Sequence, residues 1–180
     1  VTGDMLKRLS DPLDRQIAGL LFSGAREADL RYDVLRGSAP ERLEMNQTLD
    51  EATQPMLVPL MARTGRCYWE PEAELSPDAL PFDEGQAWEV RLEITSRGKK
   101  GYRLSGTLWR GGERRELHEP VLLTAAGLVF WPDAIAWIET GGSFAWISIL
   151  REEGSLDVPK SQLGRLLQQL LPMAARPPVD

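Results

Sequence analysis

Apolar and polar positions change period twice along this chain. In SDPLDRQIAGLLFSG (Ser10–Gly24), Leu13, Ile17, Leu20 and Leu21 fall on one helical face. Ser10 or Asp11 is placed to cap that helix, Pro12 stands in its first turn and Gly24 at its end. Residues 25–47 have weak periodicity and read as a connection broken by Gly37 and Pro40. A second helix is predicted from Thr48 and Glu51 at capping-box spacing, through Met56, Leu57, Leu60 and Met61, to a stop at Gly65, with Pro55 and Pro59 shortening or bending it.

After Gly65 the period becomes alternating. CYW (Cys67–Trp69) can start a strand, and EPEAELSPDALPFDEGQ is a proline-rich acidic connection. In QAWEVRLEITS, Trp88, Val90, Leu92 and Ile94 share one face, and Glu89, Arg91, Glu93 and Thr95 share the other. Across the turn SRGKKG, YRLSGTLWR places Tyr102, Leu104 and Leu108 together, with Gly106 as a bulge, so a hairpin is expected. PVLL, GLVFW, AIAWIE and FAWISIL are four further short apolar runs that read as strands of an antiparallel meander. The helical period returns in KSQLGRLLQQLL, with Ser161 as candidate cap, a stripe of Leu163, Leu166, Leu167, Leu170 and Leu171, and Pro172 as the stop. The pattern predicts an α+β fold: an antiparallel β-sheet of about five to seven strands, packed with N-terminal helices and a C-terminal amphipathic helix. A single domain over residues 1–175 is expected, with 176–180 starting a linker.

Composition narrows the function. The 180 residues are 42% hydrophobic and 27% charged, as in folded soluble proteins, with no apolar run long enough to span a bilayer and no secretory leader in VTGDMLKRLSD. A cytoplasmic protein without membrane partners is expected. Cys67 is the only cysteine, which excludes an internal disulfide and reads as a small strand residue. The net charge of −6 opposes whole-surface attraction to polyanions, yet Arg97, Lys99, Lys100, Arg103, Arg110, Arg114 and Arg115 face one acid, Glu113, within a single stretch. Trp109 lies in that stretch, opposite Tyr102, Leu104 and Leu108, where an aromatic beside Arg110 suits base stacking or a partner's side chain. Trp131, Trp137 and Trp146 instead sit in runs apolar on both faces, which predicts core.

Candidate chemistry is sparse. His118 is the sole histidine and reads as an exposed, turn-flanking residue; no nucleophile elbow, phosphate loop or dinucleotide motif occurs. DEAT (Asp50–Thr53) and DEGQ (Asp83–Gln86) imitate the acidic box of helicase-type motors, but neither follows a hydrophobic strand, and Asp50 is placed to begin a helix. The pairs Glu72/Glu74 and Glu152/Glu153 read as solvated. No cofactor, metal site or catalytic residue is expected. A small enzyme working through carboxylates with Tyr102 or Cys67 is the reading from a different class.

Taken in order, MARTGRCYW (Met61–Trp69), GQAWEVRLEI (Gly85–Ile94), YRLSGTLWRGGERREL (Tyr102–Leu117), EPVLL (Glu119–Leu123), GLVFW (Gly127–Trp131) and LDVPKSQLGRLLQQLL (Leu156–Leu171) resemble the region preceding the motor in bacterial Swi/Snf-family helicase-like ATPases. The resemblance spans roughly residues 10–175 and rests on turns, strands and a leucine stripe. It implies a non-catalytic accessory domain beside two lobes that hydrolyse ATP on double-stranded DNA. The expected partners are, in order, the motor domains of the same polypeptide, another protein, and DNA touched through the 97–115 hairpins.

Overall fold

The computed structural model describes residues 9–24, 48–69 and 78–170. The expected connection over 25–47, the Glu72/Glu74 pair, the stop at Pro172 and the linker at 176–180 lie outside them. The described elements are α1 (Pro12–Gly24), α2 (Gln54–Arg63), β1 (Phe82–Ser96), β2 (Tyr102–Arg110), β3 (Glu113–Glu116), β4 (Leu122–Leu123), β5 (Leu128–Phe130), β6 (Ile135–Glu139), α3 (Phe144–Glu153), β7 (Leu156–Val158) and α4 (Lys160–Leu170). The fold is α+β, and no helix among the described residues is long and apolar enough to cross a membrane.

One sheet runs in the order β3-β2-β1-β6-β5-β4. It consists of two antiparallel meanders, β1–β2–β3 and β4–β5–β6, joined where β1 and β6 pair in parallel. That parallel pair corrects the expectation of a purely antiparallel meander: β6 returns beside β1 after the whole of β2 to β5 has intervened. The far edge of β2 is divided, with β3 along Thr107–Arg110 and β7 along Tyr102–Leu104. β7 is a strand that the sequence pattern, whose helical period starts at Lys160, does not predict.

Several local expectations shift. FAWISIL is helix α3, not a strand; Ile147 and Leu150 are its fully buried positions, one helical turn apart, and Gly154 closes it at φ 70°. Its apolar run fits both periods, and a run this short does not choose between them. Gly106 is no bulge, because β1 and β2 stay in register from Glu89↔Trp109 to Ser96↔Tyr102. It is instead a close approach: a Cβ there would lie 2.7 Å from Leu117 Cδ2. The real irregularity is in β1, where four residues separate Asp83 from Trp88 against a single one between their partners Ala136 and Ile138. DEGQ therefore belongs to a bulged strand, not to a connection, and Asp83 Oδ1 accepts the Gly85 N–H at 2.9 Å. The α2 helix starts at Gln54 behind Thr53, later than the Thr48/Glu51 cap implied, and buries Leu57, Val58 and Ala62 while Met56 is exposed. Asp50 thus precedes a turn rather than a helix, accepting the Thr53 N–H at 2.7 Å. Cys67–Trp69 forms no strand, and Ser161 lies inside α4 rather than capping it. At α1 the expected cap is present, with the Leu13 N–H donating to Asp11 Oδ1 at 2.8 Å.

Two apolar clusters hold the sheet. One face packs Trp88, Val90, Leu92, Leu104 and Leu108 against Ile147 and Leu150 of α3, with Leu166 of α4 alongside. The other packs Val58 and Ala62 of α2 against Leu128 and Ile135, with Phe82 and Trp137 alongside. β5 and β6 are thus covered on both faces, as their continuous apolar runs imply. Each fully buried large side chain contributes about 1.5–3 kcal/mol relative to exposure. Trp131 is buried, while Trp137 and Trp146 are partly buried against the two clusters.

Candidate functional site

Five of the seven basic residues of the 97–115 segment are held in ion pairs. Arg97 donates through Nη1 to both Asp157 oxygens at 2.8 Å, tying the hairpin turn to β7, and Arg103 reaches the same carboxylate at 3.6 Å. The pair with Arg97 pushes the Asp157 carboxyl below its ordinary range. Arg110 pairs with Asp83, and its guanidinium lies 4.6 Å from the Trp88 ring centroid. Arg115 pairs with Glu113 at 2.6 Å and lies 4.8 Å from the ring of Trp131, which tilts against Trp88 at 5.0 Å. These two arginines therefore cover the tryptophan pair at one margin of the core. Asp83 is held below the usual carboxylate range, first by the Gly85 N–H and then by Arg110. Lys99 and Lys100 are exposed in the turn and have no ion pair among the described residues.

The polar face of β1–β2–β3 is a connected network. Thr107, with 0% exposure, donates to Glu93 Oε1 and accepts the Trp109 indole N–H, each at 3.0 Å. Arg114 grips Glu93 at 3.0 and 3.1 Å and also donates to Glu116. That grip, ahead of the Thr107 hydrogen bond, holds the Glu93 carboxyl below its ordinary range. Trp109 is half-buried, and Arg91 lies 5.1 Å from its ring centroid. A hollow of about 250 Å³ remains beside it, lined by Gln86, Glu89, Arg91, Arg110 and the Gly111–Gly112 turn. Of the predicted contact residues, Arg97, Arg103, Arg110, Arg114 and Arg115 are in ion pairs, Arg110 also lines the hollow with Trp109, and Lys99 and Lys100 are open to solvent.

Sequence reasoning missed a different surface. Between β4 and α3 lies a groove of about 390 Å³ lined by Val121, Leu122, Phe144, Ile147, Arg151 and Glu152. Leu122 is 45% exposed and Val121 36%, at the terminal strand of the described sheet. Arg151 Nη2 donates to the Pro120 and Val121 carbonyls, the latter at 2.9 Å, which holds the segment before β4 against the helix. Its other terminal nitrogen, Nη1, is buried and has no hydrogen-bond partner. Burial pushes this guanidinium below its ordinary pKa, and no carboxylate pairs with it among the described residues. The signal was the spacing of Phe144, Ile147 and Arg151 on one helical face, hidden while FAWISIL reads as a strand.

Cys67 is half-buried, and burial raises its thiol pKa, the opposite of activation. Asp50, Asp83, Glu93 and Asp157 are all shifted toward the ionised form. Among the described residues no group of three or more histidine, cysteine or acidic side chains is arranged to hold a metal ion. No protein-family model matches the chain, and comparison with curated proteins and with solved structures yields no match.

Proposed function

We propose that this chain is a non-catalytic accessory domain that docks on another protein surface. The apolar groove between β4 and α3 carries this reading, because it leaves Val121 and Leu122 open at the terminal strand of the described sheet. The sequence resemblance to the region preceding Swi/Snf-type motors supports the lobes of a DNA-dependent ATPase as the surface, in the cytoplasm of a bacterium. Docking there would bias the open or closed arrangement of the lobes through its differential affinity for the two. The test adds the chain in trans to such lobes and follows association by size exclusion and DNA-stimulated ATP turnover. Co-elution with altered turnover is expected; separate elution with unchanged turnover would remove the reading.

A second reading, weak DNA contact through the 97–115 hairpins, is favoured by the two open lysines and the Trp109 hollow. Opposing it, the arginines that would supply most of the charge already face carboxylates. Titration with labelled duplex at low and moderate salt separates the two. Binding that weakens steeply with salt and disappears on charge reversal at Lys99 and Lys100 would promote DNA contact over docking.

A further inference from the structure

Arg151 differs from the ion-paired arginines of the 97–115 segment in what surrounds it. It lines an apolar groove, and among the described residues its hydrogen bonds go to two backbone carbonyls while Nη1 is buried without an acceptor. The side chain as a whole stays partly exposed and no carboxylate pairs with it among the described residues, so it gains a charge-assisted hydrogen bond when a carboxylate arrives in the groove. Glu152 does not supply it, because neighbouring residues on a helix do not face one another. It lies along the groove and places a negative charge against any incoming anion.

We propose that the groove between β4 and α3 takes a segment of a partner protein in which apolar side chains adjoin a carboxylate, the apolar part covering Val121, Leu122 and Phe144 and the carboxylate pairing with Arg151. This rests on the docking reading above and adds the chemistry of what docks. Arginine with apolar neighbours is the composition expected at the centre of such a contact.

Short random peptides displayed on phage and selected on the immobilised full chain provide the probe, with individual binders measured by fluorescence anisotropy. The selected peptides are expected to combine apolar residues with an aspartate, a glutamate or a free C-terminal carboxylate. Arg151→Gln should weaken them by about tenfold or more, Leu122→Ser by a smaller factor, and Glu152→Gln should tighten them by about twofold. The tightening is the diagnostic sign, because loss of folding cannot improve binding. Leu122→Ser changes an already exposed side chain, which keeps the test open should Arg151→Gln perturb the strand it anchors. No enrichment, a consensus without a carboxylate, or binding indifferent to all three substitutions would overturn the proposal. Motor lobes that still bind the Arg151→Gln and Leu122→Ser variants would overturn the groove and leave the docking reading standing. Peptides that behave as expected while the lobes elute separately would do the reverse.

Discussion

The hairpin arginines and Arg151 carry the same side chain into opposite situations. Arg97, Arg110, Arg114 and Arg115 each have a carboxylate within hydrogen-bond reach, and their charges are consumed inside the domain. Among the described residues Arg151 has carbonyl partners only, and it lines an apolar groove. The contrast teaches that a run of basic residues measures local charge but not available charge. What decides availability is the partner across the strand, and the partners of this run come from β1, from β7 and from the carboxylates of β3 itself.

The strongest way to break the comparison is Trp88→Ala, which removes the ring lying under Arg110 and beside Trp131. A loss of about 3–5 kcal/mol is expected in urea unfolding, as for other buried tryptophans. A loss below about 1 kcal/mol would mean that this margin of the core contributes little. Next, Glu93→Gln strips Arg114 and Thr107 of their shared anion and should cost about 1–3 kcal/mol at neutral pH. The Glu93 carboxyl is depressed in the folded chain, so its contribution is complete above the ordinary glutamate range. It is lost as pH falls through the depressed folded value. Urea midpoints recorded from neutral into acid solution should therefore fall less steeply for the variant, and parallel curves would contradict the assignment.

Smaller effects sharpen the other side. Arg151→Gln should change stability by no more than about 1 kcal/mol, because glutamine can still donate to the Pro120 or Val121 carbonyl and the buried charge is relieved. A much larger loss in thermal unfolding would make Arg151 a structural clamp first. Charge reversal of Lys99 and Lys100 should leave the melting temperature within the effect of about 0.5 kcal/mol typical of free surface residues.

Where a single period governs a segment, the sequence was sufficient. The alternation in β1 placed Trp88, Val90 and Leu92 inside, and the double-sided apolar runs of β5 and β6 foretold cover on both faces. Two kinds of information were missing. FAWISIL carries both periods, and the choice of helix is made by packing Ile147 and Leu150 against the sheet, a tertiary term absent from the local pattern. The pairing of β1 with β6, and of β7 with β2, joins residues distant in sequence, and no local pattern encodes it. The groove inherits both failures, since one wall is the misread helix and the other is a two-residue strand.

The divided edge of β2 also sets an order of events during synthesis. β3 covers Thr107–Arg110 almost as soon as it leaves the ribosome, whereas Tyr102–Leu104 waits roughly fifty residues for β7. During that interval the nascent hairpin presents an open strand edge to whatever lies nearby, a template for pairing with another chain. Gly101, at φ 110° with the Val158 carbonyl oxygen against the place a Cβ would take, is the point at which the late strand must seat. A methyl group there would obstruct the final closure, lengthening the period in which two newly made molecules can exchange strands.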